Sequence, residues 1–146
     1  MPLKNKRVKR VKTSNEKPLV GCRVLVVEEE AMLLLSTADV LASAGATISG
    51  HATTVMSAIH NAKSKDFDCA VMDIGLRGGD VYTAARIVRD RGKGIVFVTA
   101  SPDLPELKRE WPNAEVLAKP ASEAEVIRAT ADACKRGGDH ATSPLH

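Results

Sequence analysis

The chain has 146 residues, of which 44% are hydrophobic but only 3% aromatic, so one core is expected, built from aliphatic side chains packed between helices and a sheet. No apolar run approaches the roughly 18 to 20 residues that cross a bilayer, and the basic start leads into acidic VLVVEEE rather than a signal-peptide core, so a soluble, cytoplasmic protein is expected. The net charge of +3 is uneven: Lys4, Lys6, Arg7, Lys9, Arg10, Lys12 and Lys17 against Glu16 give residues 1–18 a charge of +6 and leave −3 for the rest.

In chain order, residues 1–20 read as a basic N-terminal arm, a solvated segment rather than a nucleic-acid or membrane contact. From Arg23 onward, β-rich runs alternate with helical patterns, which is the signature of βαβ units in a mainly parallel sheet. The strand runs are RVLVV, ATISG, CAVMD, GIVFVT and EVLA; three are nearly continuous in apolar residues and are expected at the centre, covered on both faces. Helical stripes lie between them at Leu34, Ala38 and Leu41, at Val55, Ile59 and Ala62, at Val81, Ala85 and Val88, and at Ile127, Ala131 and Cys134. Pro102 and Pro105 leave room for a short helix around Leu107, with Trp111 as a packing residue after it. Ser122 and Glu125 stand at capping-box spacing before the last helix. The folded domain is placed at 21–136, with a tail over 137–146. Cys22, Cys69 and Cys134 include no CxxC pair and have no His at zinc-ligand spacing, so buried thiols are expected rather than a disulfide or a metal site. His51 and His60 have no motif around them and read as structural.

Parallel strands end on one edge, where ligands bind at the point of reversed connection. Glu28, Glu29 and Glu30 follow the first strand, Asp73 closes the third, Thr99 closes the fourth, and Lys119 with Pro120 follows the fifth. Crowded carboxylates need a compensating cation, and oxygen-only ligands point to Mg²⁺, so the edge is suited to a transferring phosphoryl group.

The runs VLVVEEE, VMDIGL, FVTAS and LAKP, in that order and placement, resemble the receiver domain of two-component response regulators from Arg23 to about Arg136. DIGLRGGDVY and the short fourth helix resemble a subgroup of stand-alone receivers with a Leu-x-Gly turn. The resemblance implies a flavodoxin-like, doubly wound α/β fold: a five-stranded parallel sheet with helices on both faces. It implies Asp73 as the phosphoacceptor in a phosphorelay, Mg²⁺ held by Glu29, Asp73 and the Gly75 carbonyl with Glu28 acting through water, and Thr99 and Lys119 as phosphoryl contacts. The partners implied are a sensor histidine kinase and a downstream protein or phosphotransfer partner; a homodimer is left open. Neither direct DNA binding nor membrane contact is expected. The chain would be a signalling domain rather than an enzyme.

Three positions depart from the family pattern. Glu29 is ordinarily Asp, Val116 takes the place of a switching aromatic, and Ala121 that of the aromatic after Lys-Pro. These departures keep an alternative open, a degenerate receiver that binds proteins without being phosphorylated. A nucleotide or flavin carrier is disfavoured, because acid rather than a glycine-rich loop follows the first strand.

Overall fold

The computed structural model describes residues 17–75 and 80–142. The basic arm up to residue 16 and the Leu76–Gly79 part of the turn after Asp73 lie outside them. Ten elements alternate: β1 (Arg23–Val27), α1 (Ala31–Ser43), β2 (Thr47–Ala52), α2 (Val55–Ser64), β3 (Cys69–Asp73), α3 (Tyr82–Asp90), β4 (Gly94–Thr99), α4 (Pro105–Glu110), β5 (Glu115–Ala118) and α5 (Glu123–Thr142). All strand pairs are parallel, in the order β2-β1-β3-β4-β5, so the three apolar runs do occupy the centre.

The pleat sorts the core into two halves. Leu25 and Val27, Ala70 and Met72, Ile95 and Phe97 face the side covered by α2, α3 and α4. Val24, Val26, Cys69, Val71 and Val96 face α1 and α5. The short α4 carries Leu107, which is buried, and Trp111 behind it closes an aromatic group: its ring lies 5.2 Å from Phe97 and 6.1 Å from Tyr82. Helix ends follow local chemistry. Gly45, at φ +107, stops α1 in the left-handed region, and an added Cβ there would strike Val20. At α5, the Glu125 N–H donates to Ser122 Oγ (3.1 Å) and the Ser122 N–H to Glu125 Oε1 (2.8 Å), which completes the expected capping box. His51 and His60 are exposed.

Four expectations need correction. Cys22 and Cys134 form a disulfide, with Cα atoms 6.2 Å apart, and only Cys69 is a free, buried thiol, which burial pushes up to about 12. Nothing in the spacing pairs two cysteines 112 positions apart; the topology does, by laying α5 over the start of β1. Leu19 is fully buried, so the packed domain begins before Gly21. The last helix continues past Arg136 to Thr142. Its fully buried positions are Ala129, Thr130 and Ala133, with Gly137, while the expected Ile127, Ala131 and Cys134 are half-buried beside them.

The last two corrections share a cause. A Cβ added at Gly94 would run into the Ala133 backbone carbonyl, and one at Gly137 into the Asp68 carbonyl and the Gly94 nitrogen. The α5 backbone therefore sits directly on the edge of β3 and β4, where only small residues fit, and this seat carries the helix beyond Arg136. Gly94→Ala is accordingly expected to destabilise the domain by about 1–3 kcal/mol or more, because backbone cannot step aside as a flexible side chain can. Urea unfolding checks it, and an unchanged midpoint would mean that α5 does not rest there.

Candidate functional site

With every strand parallel, the C-terminal ends of β1, β3, β4 and β5 meet on one edge. The chain passes from β1 outward to β2 and then back across to β3, so the connections reverse between β1 and β3. Glu28 and Asp73 flank that point. Glu28, Glu29, Asp73, Gly75, Thr99 and Lys119 line one open pocket of about 410 Å³, so the fold brings every expected site residue to one place.

The centre of the site is one cation between two buried carboxylates. Lys119 Nζ lies 3.0 Å from Asp73 Oδ1 and 3.6 Å from Glu28 Oε1. Asp73 is 6% exposed and Glu28 7%, while the Lys119 side chain keeps 31% of its surface in solvent. Burial raises the Glu28 carboxyl above the usual carboxylate range; the charge of Asp73 adds to this, while the Glu30 N–H and Lys119 oppose it. Burial alone would lower the Lys119 ammonium, but its hydrogen bond and ion pair with Asp73, helped by Glu28, hold it above its ordinary value. The Glu28 shift is chiefly one of burial, while the Lys119 shift follows from one cation shared by two anions.

Backbone N–H groups fix the acidic side chains. The Gly75 N–H donates to Asp73 Oδ1 (3.3 Å) and the Glu30 N–H to Glu28 Oε2 (3.2 Å). Asp73 Oδ1 thus takes both Lys119 and Gly75. Thr99, also buried, accepts the Ser101 N–H at its Oγ1 (3.0 Å), which leaves the hydroxyl proton available to donate. Ser101 had no assigned role in the sequence, although it stands in the run FVTAS; its N–H orients the Thr99 hydroxyl. The Lys119–Pro120 peptide is cis.

Among the described residues, no three His, Cys, Asp or Glu side chains converge closely enough to hold an ion by themselves. The pocket offers instead two close carboxylates, Glu28 and Asp73, with solvent access. That donor set fits Mg²⁺, which is held by one or two carboxylates while keeping several waters and taking phosphate oxygens. Glu29 is half-buried and lines the pocket without completing a third carboxylate at that pair. Val116, at the position of the family's aromatic, is half-buried against the aromatic side of the core, and Ala121 lines a groove between α1 and α5.

No family model matches the chain. Over 120 residues it is 31% identical to the transcriptional regulatory protein PdtaR of Mycobacterium tuberculosis, a match covering 80% of this chain and 58% of that protein. The chain therefore spans little more than half of that relative. Its fold superposes on a response regulator receiver protein from Sinorhizobium medicae with a TM-score of 0.70 and 26% identity, covering 82% of this chain and 97% of the other. The response regulator PhyR from Brucella abortus gives a TM-score of 0.71 at 23% identity, over 93% of this chain and 58% of that one. The doubly wound β2-β1-β3-β4-β5 sheet, the acidic pair with its lysine on the C-terminal edge, and these likenesses identify the chain as a receiver domain of the response-regulator type.

Proposed function

We propose that this receiver is a phosphoacceptor switch in a two-component phosphorelay, with Asp73 taking a phosphoryl group from the phosphohistidine of a sensor histidine kinase. The observation that carries the reading is the Asp73–Lys119–Glu28 arrangement at the topological switch point. A carboxylate oxygen of Asp73 forms the new bond to phosphorus as the P–N bond breaks, the imidazole leaves with the electron pair, and Asp73 becomes an acyl phosphate. Lys119 neutralises one phosphoryl oxygen, and the Thr99 hydroxyl donates to another. Mg²⁺, when bound, supplies further charge compensation; Glu28, Glu29, Asp73 and the Gly75 carbonyl are the groups proposed to hold it. A loose phosphoryl transition state asks mainly for positioning and neutralised charge, which suits a signalling domain better than an enzyme. The signal would then leave by contact with a downstream protein or by onward phosphotransfer, in the cytoplasm. Among the described residues no helix is long and apolar enough to cross a membrane.

Incubation with acetyl phosphate, with and without Mg²⁺, tests the reading by intact mass. One phosphoryl group per chain, gained only with the metal, is expected. No uptake under either condition would favour the adaptor alternative, to which the departures at Glu29, Val116 and Ala121 point.

The same pocket makes a pH-dependent prediction. Glu28 has its carboxyl raised in the folded state, so its contribution to stability is present below the ordinary carboxylate value and is lost as pH rises through the raised one. Glu28→Gln removes that penalty. The variant should unfold at a higher midpoint than the native chain in Mg²⁺-free buffer at about pH 7.5, and the gain should vanish at about pH 3, well below the ordinary carboxylate value, where Glu28 is protonated in both states. A gain that is the same at both pH values would show that the burial cost of Glu28 is not electrostatic.

A further inference from the structure

We propose that the α1–α5 groove is the seat of the chain's own basic arm, residues 1–16. The groove opens at the acidic site and runs away from it: one stretch, of about 600 Å³, is lined by Asp73, Lys119, Leu33 and Val126, and a second, of about 550 Å³, by Asp39, Ile127, Lys17 and Pro18. The two stretches share Ser36, Val40 and Glu123, so they form one channel along the helix pair.

Three observations choose the occupant. The first is where the chain enters. Lys17, the first described residue, lines the far end of the groove, so the arm joins the folded domain at its mouth. The second is charge. The arm carries Lys4, Lys6, Arg7, Lys9, Arg10 and Lys12 against Glu16, while Asp39 and Glu123 on the groove walls form no ion pair among the described residues, and Glu28 and Asp73 share the single Lys119. The third is size and polarity. Thirteen helical residues make α1 about 20 Å long, which an extended strand of roughly six or seven residues spans, so sixteen are ample. Leu33 lines the groove at 43% exposure, and Leu3, Val8 and Val11 give the arm apolar side chains to set against it among its cations. Seated there, the arm places positive charge beside Glu28 and Asp73 and covers the exposed Leu33.

The proposal does not depend on phosphoryl uptake. Hydrogen exchange read by mass spectrometry tests it on the full chain and on a chain starting at Lys17, which keeps every described residue. At low salt, α1 peptides of the full chain are expected to exchange several-fold more slowly than those of the shortened chain. The difference should close near 1 M salt, where screening acts within about 3 Å. Asp39→Lys combined with Glu123→Lys, which leaves the arm intact, should match the shortened chain. Equal exchange in the two chains at low salt would overturn the proposal. So would protection that rises with protein concentration, which would make the occupant a second copy.

Discussion

Asp73→Asn is expected to abolish phosphoryl uptake while leaving a folded domain. The substitution keeps the shape of the side chain, and an amide oxygen still accepts from Lys119 and from the Gly75 N–H, so the contacts that position residue 73 survive. What is lost is the anionic oxygen that attacks phosphorus. No neighbour replaces it. Glu28 is held by the Glu30 N–H and Lys119, and Asp80 is exposed with its carboxylate on the Tyr82 N–H (2.8 Å). Removing one of two like charges should also relax Glu28 toward the ordinary carboxylate range, so the variant should be no less stable than the native protein. Intact mass after acetyl phosphate treatment should show no gain, with an unchanged circular dichroism spectrum. Labelling at the native level would remove Asp73 from its role.

Phe97→Ala should be the costliest single truncation in the core, at about 3–5 kcal/mol. Phe97 has no exposed surface, and its ring meets Tyr82 edge-on at 6.0 Å and Trp111 at 5.2 Å, so alanine would leave a void between β4, α3 and the end of α4. The residue is also two positions before Thr99 on the same face of β4, so the void lies directly under the hydroxyl proposed to contact phosphate. A lower urea midpoint with an unchanged slope is expected. A cost below about 1 kcal/mol would mean that the surrounding core collapses onto the site without strain.

The sequence made the architecture legible where chemistry repeats. Apolar runs at RVLVV, CAVMD and GIVFVT marked the central strands because parallel strands covered on both faces need no polar side, and the ends of those runs placed Glu28, Asp73 and Thr99 on one edge. Lys119 was legible through LAKP, and the structure adds what spacing could not supply: it pairs with both carboxylates at once. Two kinds of feature were not legible. The Cys22–Cys134 bridge and the burial of Leu19 arise from contacts between distant segments that leave no local pattern. The stripe of α5 was placed by spacing one step to the side: Ile127, Ala131 and Cys134 pack half-buried against the core, whereas Gly94 and Gly137 let the backbones approach so closely that Ala129, Thr130, Ala133 and Gly137 fill the interface itself. The expected role of Glu29 rested on the family pattern alone; the fold places it half-buried in the same pocket as Glu28 and Asp73.

The central claim is that a phosphoryl group is carried on Asp73 as an acyl phosphate. Peptide mapping of the native chain after acetyl phosphate and Mg²⁺ treatment tests it most directly, combined with hydroxylamine, which cleaves acyl phosphates and spares phosphoserine and phosphothreonine. The account expects a single modified peptide containing Asp73, with the label lost on hydroxylamine treatment. A hydroxylamine-stable label, or one on a peptide without Asp73, would contradict it.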